Sequence, residues 1–388
     1  MLQKRYQMPF SIDIHFGYRD APFSKDDMDL DSATASFASA ADAFDAEFAA
    51  KIIKSTPAKK SPVEKKADAF VHAMTDGPVA NEGDEWSEEQ VAAAKFALSN
   101  MLGTMTYMTG TAHKVAKDTG LIYVENSPPL FTAVPNNTNF PRGFLWDEGF
   151  HELLISAWDL DITQDVVSSW FGLTDAEGWI GREQMIGKEA RQGCPPSYWA
   201  QIPDEANPPA QHMLIGHILD RFDADPDMKA EKWEGFTAFL RGIYANYKLN
   251  VEWYLRTQKS TVLDNAFRWR DRTDTFCLGS GMDDYPRAPY LTTEEAHLDL
   301  QAWMVDATRT FARVATVLGE EEDAAHYQEL SDSFKATLLE SFWDEERQMF
   351  DDFYIDKDTG AKTFNGHTGY LNWFPWFLYA VDPTDSRF

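Results

Sequence analysis

Apolar side chains return every three or four residues through most of the chain after residue 86, and this period limits the fold more than any other feature. In Ser87–Lys114 the stripe is Val91, Ala94, Leu98, Leu102, Met105 and Met108, the spacing of one helix face. In Gly235–Thr257 it is Phe236, Phe239, Leu240, Ile243, Tyr247, Val251 and Tyr254. Glu295–Gly319 carries two stripes, Leu298, Ala302 and Val305 on one side and Leu300, Met304, Ala307, Phe311 and Val314 on another. A helix apolar on two sides is expected between layers. Ala324–Phe342 reads as a further helix, and Thr368–Ala380 as an apolar run broken by Pro375. Period-two alternation is nearly absent, so the expectation is a mainly helical fold. The connections Asp175–Ala210 and Gln258–Thr293 are long and rich in Trp, Arg, Asp, Gly and Pro. Loops of that length in a compact domain usually carry function.

The 388 residues suffice for one large or two ordinary domains. Acidic side chains outnumber basic ones 63 to 35, a net charge of −28, which disfavours a nucleic-acid partner because phosphate binding needs a basic stripe. A neutral or cationic ligand is expected, and 13 Trp residues suit stacking on sugar rings as well as core packing. Cys194 and Cys277 are too few for a disulfide framework or a Cys-rich metal site, so no metal or cofactor is expected, although one bridge between them stays open. No apolar run has transmembrane length, and the N-terminus shows no apolar core followed by a small-residue cleavage site. The chain therefore reads as soluble and untargeted. Residues 1–85, with an Asp/Ala/Ser-rich part and then a Lys-rich part, are expected to form a partly flexible flanking segment, and 86–388 the folded domain.

Chemistry-bearing residues concentrate in four places. Asn139–His151 crowds Arg142, Trp146, Asp147, Glu148 and His151 into a Gly-flanked loop entering a helix. Asp147 and His151 could be a structural pair at i, i+4, but Arg, Trp and two carboxylates suit a polyol-binding wall. Gly178–Gln184 presents Trp179, Arg182 and Glu183, followed by Asn207-Pro-Pro. Here a surface ion pair competes with a loop displaying both charges toward a pocket. Ser280–Arg287 places Asp283 and Asp284 between Gly281 and Pro286, either as projecting carboxyls or as an Asx-turn. Thr292 and Glu295 fit a capping box for the next helix. Asp299 then falls one turn beyond Glu295, a like-charge spacing that weakens a helix unless the pair holds something else, such as sugar hydroxyls, an Arg or a catalytic proton.

The segments FPRGFLWDEGFHELLI, GWIGREQMIGKEAR, NPP, FRWR, SGMDDYPRAP, HLDLQAW and GHTGYLNWFPW, in this order from about Trp86 to Pro383, resemble the catalytic domain of glycoside hydrolase family 63. The resemblance implies an (α/α)6 toroid. It also implies removal of the terminal α-1,2-linked glucose from the N-glycan Glc3Man9GlcNAc2, with inversion, in the endoplasmic reticulum lumen. By the same match Asp283 is the general acid, with Glu295 and Asp299 as essential supporting carboxylates. Arg142, Trp146, Asp147, Arg182 and Glu183 match sugar-binding positions, and Glu148, Trp179, Asp284 and Arg287 join them as substrate-binding candidates. A raised acid pKa is expected from Asp284, from Asp299 and from burial among Trp.

The family pattern has a membrane anchor and a β-sandwich before this domain, and after the GHTGYLNWFPW-like segment further helices and the Glu that serves as base. The sequence therefore reads as a toroid incomplete at its C-terminus, with the acid present, the base absent and the chain expected to be inactive alone. A sugar-binding toroid without catalysis is one alternative. A trehalase-like enzyme is another, disfavoured by the Phe-Pro-Arg-Gly and Arg-Glu-Gln contexts. A terpene-type enzyme is disfavoured because Asp283-Asp284-Tyr285-Pro286-Arg287 lacks the later acidic residue of an Asp-rich metal motif.

Overall fold

The computed structural model describes residues 43–48, 87–382 and 384–387. The flexible segment expected over 1–85 lies outside the described residues apart from 43–48. The chain divides into two compact units, residues 1–105 with 157–160, and residues 106–156 with 161–388.

In the first unit helix α1 (Glu88–Gly103) opens with a capping box, in which Gln90 N donates to Ser87 Oγ and Ser87 N donates to Gln90 Oε1. Residues 43–48 form a short helical segment whose Phe48 is buried beneath Lys95, the lysine that also pairs with Asp45 at 2.7 Å. The helix expected to run to Lys114 ends at Gly103, and strand β1 (Met105–Val115), which beyond its first residue belongs with β2 to the second unit, follows. Met105 and Met108 continue the helical spacing only by coincidence. Between them and beyond stand Thr106, Tyr107, Thr109 and Thr111, residues that fit a pleated surface better than a helix. β1 neighbours β2 (Ile122–Ala133), a pairing that the near absence of period-two alternation had hidden.

The second unit is built mainly from helices: α2 (Leu145–Trp158, whose last two residues belong to the first unit), α3 (Leu160–Phe171, whose first residue does), α4 (Ala210–Ala224), α5 (Pro226–Thr257), α6 (Leu298–Leu318) and α7 (Glu321–Ser341). Between α3 and α4 lie β4 (Glu183–Gln184) and β5 (Ala200–Gln201), and β3 (Gly143–Phe144) precedes α2. β6 (Glu295–Ala296) precedes α6, and β7 (Trp343–Asp344), β8 (Met349–Phe350), β9 (Phe353–Ile355) and β10 (Lys362–Phe364) follow α7.

Two helix pairs show how the sequence closes its turns. Asp225 separates α4 from α5 and caps α5 through its carboxylate, which accepts from Asp227 N and Met228 N, while Pro226 occupies the first helical position. Gly319, in the left-handed region at φ 78°, ends α6 and lets α7 fold back on it. α6 packs on α7, α4 and α5. Both of its apolar stripes are buried, as expected of a helix held between layers. Each large apolar side chain buried this way contributes about 1.5–3 kcal/mol, so Leu298, Trp303, Met304, Phe311 and Val314 make α6 the axis of the core. Paired helices layered around a buried one are the local architecture of the expected (α/α) fold. Among the described residues no helix is long and apolar enough to cross a membrane, and both cysteines are free thiols, so the bridge left open by the sequence does not form.

Candidate active site

Three of the motif segments meet because short backbone pairings bring them together. Gly143 and Phe144 of β3 pair with Gln184 and Glu183 of β4, and Leu145 N donates to Arg182 O at 3.0 Å. The start of α2, with Trp146 and Asp147, is thereby laid beside Arg182 and Glu183. Asn207 of the Asn-Pro-Pro step then bridges to the third segment. Its Oδ1 accepts from Trp146 N at 2.9 Å, and its Nδ2 donates to Gly279 O at 3.1 Å. Gly281, at φ 71°, packs against the indole of Trp146 so closely that a Cβ would stand 2.5 Å from two ring atoms. Only glycine allows that approach with that backbone.

Glu183 is the anchor of the wall. Arg142 Nε holds its Oε2 at 2.7 Å and Arg182 Nη2 its Oε1 at 2.9 Å, while Glu183 N donates to Gln201 Oε1. Arg142 lies over the rings of Phe140 and Phe144. The Arg182–Glu183 pair is real but not a surface pair, since Glu183 is buried. Asp147 faces this group. Its pKa is raised by burial and by the Glu183 and Asp283 carboxylates, against the pull of Arg182. It does not pair with His151, whose nearest carboxylate is Glu148 at 3.9 Å.

Asp283 is presented to solvent on a tight turn. Cys277 N donates to Asp283 O at 3.1 Å, and Ser280 Oγ both donates to Cys277 O and accepts from Met282 N. The Asp283 pKa is raised, first by loss of hydration and then by Asp284, Asp271 and Glu183, with Arg182 opposing. Asp299, expected among the causes, is instead engaged elsewhere.

Glu295 and Asp299 do not share a helix face. Glu295 is in strand β6, paired with Tyr354 of β9, and α6 starts only at Leu298. The expected capping box is therefore absent. The free N–H of Leu298 goes to Asp352 Oδ1 at 2.7 Å instead. Like-charge repulsion is avoided because each carboxylate has its own cations. Glu295 meets Arg268 at 3.0 Å, Arg272 at 3.4 Å and His297 at 3.5 Å. Burial pushes its pKa up, but His297, Arg272 and Arg268 more than offset this and hold it low. Asp299 accepts both Arg287 nitrogens, at 3.0 and 2.8 Å, and Trp269 Nε1 at 3.0 Å. It too stays low, against burial, because of Arg287. Arg287 reaches Asp352 as well, at 2.8 Å. Three guanidiniums and three carboxylates thus balance in a buried network behind the Asp283 turn.

Three substrate-binding candidates are misplaced by this geometry. Arg287 is buried in that network rather than turned to a ligand. Trp179 is a core residue whose Nε1 donates to Glu205 O. Glu148, next to Asp147 but turned about 100° from it around α2, is fully buried and accepts from Thr132 Oγ1, Ala133 N and Trp170 Nε1. The residues the motif reading passed over as individuals are Asn207, Arg268, Trp269, Asp271, Arg272, His297 and Asp352. The dense FRWRDR run of Phe267–Arg272 was the available signal for four of them.

Glu148 and Glu152, one turn apart on α2, form a buried carboxyl pair. Burial and the Glu152 charge push Glu148 well up, and burial pushes Glu152 up to about 7. A carboxyl whose pKa rises on folding binds more protons in the folded than in the unfolded state, so stability falls as pH rises from the unfolded value through 7. Glu152→Gln is expected to remove about 2–3 kcal/mol of that decline between pH 5 and 8. Urea denaturation midpoints at the two pH values test this, and equal pH dependence in both proteins would contradict it.

The family model for the glycosyl hydrolase family 63 C-terminal domain matches residues 57–388. A Schizosaccharomyces pombe protein named "Probable mannosyl-oligosaccharide glucosidase" is 31% identical over 99% of this chain and 50% of its own length. Mannosyl-oligosaccharide glucosidase GCS1 of Arabidopsis thaliana is 32% identical over 74% of this chain and 34% of its own. The chain spans half or less of the length of these relatives. Among solved structures, the GH63 mannosylglycerate hydrolase of Thermus thermophilus with Tris and D-glycerate is similar in fold, with a TM-score of 0.50, 14% identity, and coverage of 65% of this chain and 70% of that one. With the family model matching residues 57–388, most of the chain and every motif of the site, the chain belongs to glycosyl hydrolase family 63.

Proposed function

We propose that this chain carries the acid side of an inverting α-glucosidase that removes the terminal α-1,2-linked glucose from the glucosylated N-glycan precursor, within the endoplasmic reticulum lumen. The observation that carries the reading is the placement of Asp283. It is a solvent-facing carboxyl with a raised pKa, on a turn packed against Trp146 and within electrostatic reach of Asp147, Arg182 and Glu183. A sugar against Trp146, with hydroxyls to Asp147 and Arg182, puts its glycosidic oxygen before Asp283. Protonation of that oxygen lets the alcohol leave as an oxocarbenium-like centre develops on the glucose. Inversion requires a second carboxylate about 6.5–9.5 Å from the first to activate water. Glu183, Glu295 and Asp299 are each committed to arginines, so none of them is free for that task. Glu295 and Asp299 act instead as positioning residues.

The relatives named mannosyl-oligosaccharide glucosidases support the substrate class. Proton NMR of anomeric signals during digestion of an α-1,2-glucosylated oligosaccharide, by a protein joining this chain to the second carboxylate that inversion requires, tests the reading. β-Glucose is expected to appear first. α-Glucose appearing first would contradict inversion, and saturable binding without release would favour the sugar-binding toroid.

A further inference from the structure

We propose that Asp271 is a positioning residue for the acid: it clamps the turn that presents Asp283 and places a second negative charge behind it. This rests on the reading of Asp283 as the proton donor. Asp271 ends the FRWRD run, whose preceding residues Arg268 and Trp269 hold Glu295 and Asp299. Its own carboxylate faces the opposite way, into the Asp283 turn. Oδ2 accepts from Gly279 N, and Oδ1 accepts from Cys277 Sγ at 3.6 Å. The fit allows no side chain at residue 279, because a Cβ there would stand 2.6 Å from Ala206 O and 2.7 Å from Asp271 Oδ1. Gly279 O is taken in turn by Asn207, which also holds Trp146 N. One carboxylate therefore fixes the turn on the side away from Arg287, and the turn is gripped at both ends.

The charge matters as well as the hydrogen bonds. The groups that face Asp283 are Arg182 and Glu183 from the β4 segment, Asp147 from α2, Asp284 on the same turn, and Asp271. Arg182 draws the proton off. Loss of hydration is the first thing that keeps the proton on, and the Asp284, Asp271 and Glu183 carboxylates add to it, Glu183 being itself paired with two arginines. Glu205 senses Asp271 in the same way from another side, and burial with Asp271 raises its pKa to about 7. Asp284 is exposed and makes its contribution through solvent. Asp271 acts through the turn itself, where water screens less.

Titration of Asp283 tests this without relying on turnover. The protein is labelled with carbon-13 at aspartate side-chain carboxyls, and the Asp283 signal is identified by its loss in Asp283→Asn. In Asp271→Asn, which keeps an oxygen for Gly279 N, the Asp283 midpoint is expected to fall. Coupling is reciprocal, so Asp283→Asn should lower the Asp271 midpoint by the same amount. That second variant alters an exposed side chain and remains informative if Asp271→Asn folds poorly. Midpoints unmoved in both directions would overturn the proposal. If the shifts appear but Asp283→Asn hydrolyses normally, the coupling stands and the assignment of the acid is what fails. Where turnover is measured, Asp271→Asn should move the alkaline limb of kcat to lower pH, an effect that mere loosening of the fold does not produce.

Discussion

In a protein that also supplies the second carboxylate inversion requires, Asp283→Asn is expected to lower kcat on an α-1,2-glucosylated oligosaccharide by about 10²–10⁴-fold, the usual worth of a general acid, while leaving oligosaccharide affinity close to that of the protein with Asp283. The amide preserves shape and the backbone bond from Cys277 N, and Trp146, Asp147 and Arg182 keep their places, but a side-chain amide can donate a hydrogen bond without being acidic enough to transfer its proton. The raised pKa of Asp283 also fixes the sign of the pH dependence. The acid must be protonated, so the rate falls as pH rises through its elevated value, and the variant should lose that alkaline limb. Unchanged turnover would move the role to another carboxyl, with Asp284 the first candidate.

The largest effect on stability is expected from Arg287→Ala. Arg287 is buried and spans three carboxylate oxygens, two on Asp299 and one on Asp352. Removing it leaves two buried carboxylates facing each other without a cation, and breaking a buried pair from one side typically costs about 3–5 kcal/mol. Arg287→Lys is expected to recover only part of this, because an ammonium cannot reproduce the forked contact to Asp299. Denaturation in urea measures the loss, and a cost under about 1 kcal/mol would mean the network relaxes to admit water. In the same active background either variant should also depress activity, because Arg287, four residues past Asp283, ties that stretch of chain to Asp299 and Asp352.

The helices with one-sided or two-sided apolar stripes were legible because burial alone determines those positions. α5 and α6 appear where Phe236–Tyr254 and Leu298–Val314 placed them. The hairpin of β1 and β2 was not legible. Tyr107, Ile122, Tyr123 and Val124 are exposed there, so the strands leave no alternation of buried and exposed side chains to read. The helix expected across Glu295 failed for a different reason. Thr292 and Glu295 have capping-box spacing, but the strand pairing of Glu295 with Tyr354 and the reach of Asp352 to Leu298 N are contacts across distant sequence that local spacing cannot contain. In the site, the motif segments were recognisable and their assembly was not. Glu148 and Arg287 sit within those segments yet face inward, because helix geometry and buried counter-charges decide orientation residue by residue.

If Asp283 is the acid, its carboxyl stands at the glycosidic oxygen of the bound sugar. A crystal structure of Asp283→Asn with an uncleaved α-1,2-linked glucosyl oligosaccharide tests it most directly. The terminal glucose is expected against Trp146, with the residue 283 amide about 3 Å from the bridging oxygen, within the reach required of an acid. A sugar bound elsewhere on the molecule, or a bridging oxygen facing another carboxyl, would contradict it.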